Sequence, residues 1–227
     1  MFRKKRGVAG DISNLSTYLN KRILSKLAGN QEMQKTIIVG IDLAAVAANP
    51  TGWAQLKNKA ISTCHLYHDE EILKRSTDCR PHLIAVDAPL RLPKKGIMRK
   101  ADREMQKRGY PVFPPRFPAM EKLALRAITM VQEITRRGFN VIEVHPTSTR
   151  KALKMPTKDW KKIQTIFMRV SLEGDLTTRT LTAHEIDAVT ATLTGHLHLQ
   201  RKTELIGDEE EGYIVVPTES NWRRLQL

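Results

Sequence analysis

The sequence predicts a mixed α/β fold, and three observations carry the prediction. Three short strands in a row follow residue 36, strand–helix units come next, and three buried-looking strands each bring an acid near their end: Asp42, Asp87 and Glu143. Strands first, then strand–helix units, then helices is the order of one sheet covered by helices.

The 227 residues are 41% hydrophobic, enough for one sizeable core and too few to demand two domains. Residues 1–35 read as a basic N-terminal extension and residues 36–227 as the domain. The extension carries eight Lys and Arg against Asp11 and Glu32, a surplus of six, and Leu15, Leu19, Ile23 and Leu27 recur every fourth residue as in a short amphipathic helix. It fits either a solvated tail with a docked helix or a nucleic-acid arm.

The strand at Ile37–Leu43 is a continuous apolar run, as expected where both faces are buried. Asn49-Pro50-Thr51-Gly52 is a turn, after which Trp53–Leu56 and Ile61–Tyr67 complete an antiparallel meander. A helix over His68–Thr77 leads to a second buried strand, His82–Asp87, which Ala88-Pro89 stops. A long insertion follows. It contains a basic helix over Arg99–Arg108, a loop with Pro111, Pro114, Pro115 and Pro118, and a helix with apolar spacing at Met120, Leu123, Ile128, Val131 and Ile134. Gly138 ends that helix and Val141–Val144 is the third buried strand. Helices over Lys158–Ser171 and Thr182–His198 precede a terminal β pair, Leu205-Ile206 and Tyr213–Val216.

Carboxylates are rarely buried without a partner or a metal, because desolvating one costs several kcal/mol. Alternation puts Ile38, Gly40 and Asp42 on one strand face, Leu83, Ala85 and Asp87 likewise, and Val141, Glu143 and His145 likewise. If the three strands run parallel, their ends share the edge where open α/β sheets hold ligands. A fourth acid comes from His184-Glu185-Ile186-Asp187-Ala188, on a helix whose Ala188, Ala191 and Gly195 allow close approach to the sheet. Carboxylates from different elements sharing a divalent cation are what two-metal phosphoryl transfer needs. Each acid alone also fits a strand-end cap or an ion pair, and His184 a helix start capped by Thr182.

The insertion adds Arg99, Asp102 and Arg103, whose guanidinium forks suit phosphate oxygens, or else form a solvated basic helix with an internal pair. Tyr110, Phe113 and Phe117 fit either base stacking or packing of their own loop. A net charge of +14, from 38 Lys and Arg against 24 Asp and Glu, attracts polyanions. Cys64 and Cys79 lack any metal or disulfide spacing, which suits a reducing cytoplasm. No apolar run approaches the roughly 20 residues of a membrane span. A zincin site is excluded because residue 188 is alanine, and no Walker or dinucleotide glycine motif occurs.

Val39-Gly40-Ile41-Asp42-Leu43-Ala44, Asp87-Ala88-Pro89-Leu90, Arg99-x-x-Asp102-Arg103, Glu143-Val144-His145-Pro146-Thr147, His184-Glu185-Ile186-Asp187-Ala188 and Gly212-Tyr213-Ile214 together resemble the domain of unknown function 429 family, predicted nucleases of the RNase H-like fold. The His-x-x-Asp-Ala element is also similar to the last catalytic helix of RuvC-type resolvases. The resemblance implies a five-stranded mixed sheet of order 3-2-1-4-5 flanked by helices, with a helical insertion between strands 4 and 5. It further implies a nuclease dependent on Mg²⁺ or Mn²⁺ and acting on DNA or RNA. Asp42, Asp87 and Asp187 would be metal ligands, Glu143 and His184 further catalytic residues, and Arg99, Asp102, Arg103 and His145 substrate contacts. Junction-cutting relatives act as dimers, so a homodimer is an open expectation. Two other readings compete with it: a nucleic-acid-binding module without turnover, and a nucleotide phosphohydrolase.

Overall fold

The computed structural model describes residues 36–227. The helix expected around Leu15–Leu27 lies outside the described residues.

Strands β1 (Ile37–Asp42), β2 (Thr51–Lys57) and β3 (Ala60–Leu66) form the meander, joined at its second turn through Asn58 and Lys59 in left-handed conformation. Helix α1 (Asp69–Asp78) then crosses to β4 (Leu83–Asp87), which lies parallel to β1. The insertion supplies α2 (Lys100–Lys107) and α3 (Pro118–Arg136), the latter opened by a proline at its first position. Next come β5 (Val141–Val144), parallel to β4, then α4 (Pro146–Ala152) and α5 (Trp160–Arg169). The short pieces β6 (Glu173–Gly174) and α6 (Asp175–Thr178) lead into α7 (Ala183–Leu199), followed by the hairpin β7 (Thr203–Asp208) and β8 (Gly212–Pro217).

The order 3-2-1-4-5, with strand 2 antiparallel to strand 1, is present and is that of an RNase H-like sheet. It sits inside eight strands ordered β6-β3-β2-β1-β4-β5-β8-β7, three more than expected. The additions cover the two edges, where open backbone groups would otherwise stay unpaired. The terminal hairpin is therefore part of the main sheet: β8 runs parallel to β5, with Val144 opposite Val215.

Helix α7 covers one face of the sheet, packing on Ile38, Ala54, Leu83 and Ala85; α5 joins that core through Ile163, Ile166 and Phe167. Helices α1 and α3 cover the other face, where Ile72, Ala127, Met130 and Ile134 meet Val39, Ile41, Ile84 and Val86. Among the described residues no helix is long and apolar enough to cross a membrane.

The approach of α7 depends on two glycines. A Cβ on Gly40 would lie 2.1 Å from the Ala188 carbonyl oxygen, and one on Gly52 would lie 2.1 Å from that of His184. Both obstacles are backbone, so a side chain can be admitted only by lifting the helix. Gly40→Ala is expected to destabilise the protein by about 3 kcal/mol, read as a lower urea midpoint. A change within experimental error would mean that α7 shifts freely.

Candidate active site

The C-terminal ends of β1 and β4 place Asp42 and Asp87 side by side as register partners, about 5 Å apart at Cα. Both follow from alternation, sharing a face with Gly40 and Ala85. Helix α7 brings Asp187 to the same face, and its start is fixed by a capping box in which the Thr182 hydroxyl accepts from the Glu185 N–H and the Thr182 N–H donates to the Glu185 carboxylate.

Each acid has a different environment. The His184 imidazole donates through Nδ1 to Oδ2 of Asp42 over 2.7 Å, and this bond raises the His184 pKa. Asp187 accepts a short hydrogen bond from Nη1 of Arg150; burial lifts its pKa and the Arg150 charge works against that lift. Asp87 is half-buried, and no described residue donates a hydrogen bond to its carboxylate. Its pKa is pushed well above the carboxylate range, first by desolvation and then by the charges of Asp42 and Asp187.

Glu143 reaches the cavity at the strand ends from the other face of the sheet. It is the register partner of Val86, so it leaves the sheet on the face opposite Asp42 and Asp87. There the buried Arg99 donates to both its oxygens, at 2.7 and 2.6 Å, and the Leu90 N–H donates to Oε2. Arg99 also grips Asp102, and both residues are 1% exposed. Arg99 and Asp102, expected as substrate contacts, form with Glu143 a buried ion triad that borders the cavity at the strand ends. Of the four acids, Asp42, Asp87 and Asp187 share the α7 face, and Glu143 borders the cavity from the opposite face. The apolar and acidic pattern of β5 defines its two faces, but only its pairing with β4 decides which face meets α7.

Arg103 is exposed and donates to the Met98 carbonyl oxygen. His145 caps α4, accepting at Nδ1 from the Ser148 N–H. Burial, then the Arg150 charge, lowers its pKa to about 4, so it is neutral at pH 7. Tyr110 packs into the small core beneath α2 and the hairpin, whereas Phe113 is 67% exposed. A cavity of about 220 Å³ opens at the strand ends, bordered by Asp42, Asp87, Arg99, Asp102, Glu143 and His145.

Arg150 escaped the sequence reading. It is fully buried, donates to Asp187 and to the Thr190 hydroxyl, leaves its Nε without a partner, and lies over the Trp160 ring at 5.2 Å. The available signal was an arginine in a short helix of small residues directly after the third acidic strand. Arg126 escaped it too: from α3 it donates to the Ala44 and Tyr67 carbonyl oxygens and to Asp69, bracing the loop after β1.

The donor set can be tested for a cation. Among the described residues no three acid, histidine or cysteine side chains stand in a closed ligand cluster. Asp87 nevertheless offers a carboxylate with no donor among the described residues, beside the Asp42 carboxylate and held at a charge cost by two like charges. Hard, crowded oxygens of this kind suit a divalent ion such as Mg²⁺ or Mn²⁺, and so the residues fit.

Glu185, one turn inside α7, serves structure. Burial raises its pKa, but bonds from Arg179, Thr182 and Thr63 outweigh that and hold it at about 2. A carboxyl lowered in the folded state adds stability above its unfolded pKa of about 4.3, lost as pH falls toward 2. Urea midpoints of the wild type and Glu185→Gln should differ at pH 7 and converge near pH 2–3. A constant difference would show that ionisation of Glu185 is not what stabilises this corner.

Comparison with known proteins adds three findings. No curated protein sequence matches. Among solved structures the chain is similar to T. thermophilus RuvC in complex with Holliday junction substrate, at 13% identity and a TM-score of 0.46, covering 71% of this chain and 94% of that one. It is also similar to a Thermus thermophilus RuvC structure, at 15% identity and a TM-score of 0.44, covering 73% of this chain and 97% of that one. Residues 40–211, which span β1 to the final hairpin, match the family described as protein of unknown function (DUF429), and the chain belongs to that family.

Proposed function

We propose that the protein is a divalent-metal-dependent nuclease that hydrolyses phosphodiester bonds in nucleic acid, its site built from Asp42, Asp87 and Asp187. The observation that carries this reading is the Asp87 carboxylate, without a hydrogen-bond donor among the described residues, beside Asp42 and within reach of the Asp187 charge. A fold that needed only structure there would gain by replacing Asp87 with a neutral residue. Asp42 and Asp87 would hold the cation, and Asp187 would join them on release from Arg150. When bound, a divalent ion supplies charge neutralisation of the carboxylates and polarisation of a phosphoryl oxygen, and two ions support both the attacking and leaving oxygens.

The chain's own residues do the positioning. The His184 imidazole fixes the Asp42 carboxylate and is open to solvent on its other side, which suits it to proton transfer. Arg150 holds Asp187 and so sets when that carboxylate is available. His145, neutral and at the cavity wall, caps α4, the helix that carries Arg150. Residues 1–35 are read as a basic extension of the domain formed by residues 36–227, in a cytoplasmic protein that acts alone or as a homodimer.

The test incubates the purified full chain with labelled single-stranded, duplex and branched DNA and RNA, with Mn²⁺, Mg²⁺ or a chelator. Cleavage that requires the metal supports the reading; its absence on every substrate, with binding retained, favours a nucleic-acid-binding module without turnover. One observation favours that second reading, namely the ion pair that neutralises Asp187.

A further inference from the structure

On the α7 side of the sheet a groove of about 600 Å³ lies between the α4–α5 connection, α5 and the 3₁₀ turn Trp222–Arg224. Five cations line it, Lys154, Lys161, Lys162, Arg169 and Arg223, against the single acid Asp159. Asp159 is already engaged at the start of α5, where it accepts from the Lys162 N–H. No described carboxylate lies within ion-pair distance of any of the five. Several arginines outside the groove hold carboxylates, among them Arg99, Arg108, Arg126, Arg150 and Arg179. The groove is thus a place where positive charge has been gathered in a concave surface without a carboxylate partner among the described residues.

Its geometry is linear. Lys161, Thr165 and Arg169 recur every fourth residue along α5, forming a stripe about 12 Å long at 1.5 Å per residue. That length matches three to four nucleotides of one strand at about 3.4 Å each. Arg223 extends the surface, its guanidinium 4.7 Å over the Trp222 ring. The start of α5 is linked to the acidic centre through side chains: Trp160, the residue before Lys161, carries Arg150 on its ring, and Arg150 holds Asp187. Trp222 is buried, so the groove offers charge without an open stacking platform.

We infer that this groove binds the phosphate backbone of nucleic acid without reading sequence and leads the strand toward Asp187. The inference extends the proposed function by giving that site a substrate track, but binding at the groove does not require that the site be catalytic.

The test uses the full chain in the presence of chelator, so that cleavage plays no part, with fluorescence anisotropy of labelled DNA and RNA over a range of salt. The variant Lys161→Ala, Lys162→Ala, Arg169→Ala and Arg223→Ala is compared with the wild type and with a control that loses the same charge at exposed sites elsewhere, Lys57, Lys74, Lys107 and Arg136. The groove variant should bind at least about tenfold more weakly and lower the slope of log K against log salt by up to about three to four, near 0.9 for each lost contact to a duplex. The control should stay close to the wild type. Equal losses in the two variants, or none in either, would overturn the inference. Groove-dependent capture by anionic phospholipid vesicles without groove-dependent binding of nucleic acid would overturn it as well. Separately, Mn²⁺-dependent hydrolysis of a small phosphodiester, bis(4-nitrophenyl) phosphate, should be unchanged in the groove variant, so that failure of the nuclease reading and failure of the groove remain distinguishable.

Discussion

Asp87→Asn is expected to abolish metal-dependent cleavage and, in the same protein, to raise the thermal midpoint of the metal-free fold. The two effects have one cause. At neutral pH the Asp87 carboxylate is desolvated, has no hydrogen-bond donor among the described residues, and faces the charges of Asp42 and Asp187. A carboxyl whose pKa is raised on folding weakens the fold progressively as pH rises through its unfolded value toward its folded one. An isosteric amide removes that cost, and each kcal/mol relieved should raise the midpoint by about 2–4 °C. Loss of a metal ligand should slow cleavage by roughly a thousandfold or more, about 4 kcal/mol of transition-state stabilisation. Thermal melts in chelator and cleavage assays in Mn²⁺ check the two halves. Asp42→Asn should lose activity similarly, and it also leaves His184 without its carboxylate partner. Wild-type cleavage by Asp87→Asn would remove the metal-centre reading; an unchanged midpoint would show that like-charge crowding is already relieved without metal.

Arg99→Met should destabilise the protein by about 3–5 kcal/mol, the usual result of removing one partner from a buried ion group. Arg99 is desolvated, but its guanidinium is held protonated by Glu143 and Asp102, and its removal strands both carboxylates in a dry setting. Urea unfolding at pH 7 measures the loss. Adding Glu143→Gln to Arg99→Met should recover part of it, because one stranded charge is neutralised, and acidification should narrow the gap to the wild type by protonating the carboxylates. A loss below about 1 kcal/mol would place the triad among solvent-screened pairs. This triad joins α2 to β5, so its integrity also bears on the cavity wall formed by the insertion.

The site was legible to different degrees for physical reasons. Asp42 and Asp87 could be read because strand alternation and an apolar run say both that a carboxylate is near the core and which residues share its face. Asp187 could be read from the small residues that bring α7 onto Gly40. Glu143 shows the limit: period-two alternation assigns a residue to one of two faces, but a strand's register with its neighbour decides which of them is shared. Arg99 was legible as a phosphate-type arginine, but its burial against Glu143 was not, because burial is a property of the assembled insertion. Arg150 left little trace, since its role depends on α4 and α7 meeting.

What the sequence determined by itself is the element order, the acid at the end of each buried strand, the capped helix bearing His184 and Asp187, and the family. These are local: they depend on periodicity, turn residues and the cost of burying charge. Tertiary structure alone decided that the terminal hairpin extends the sheet and that Glu143 faces away from Asp42 and Asp87. It also decided that Arg150 holds Asp187 and that five cations gather in one groove with no carboxylate partner among the described residues. Each of these depends on contacts between residues far apart in the chain, and register, burial and charge pairing exist only once those contacts form.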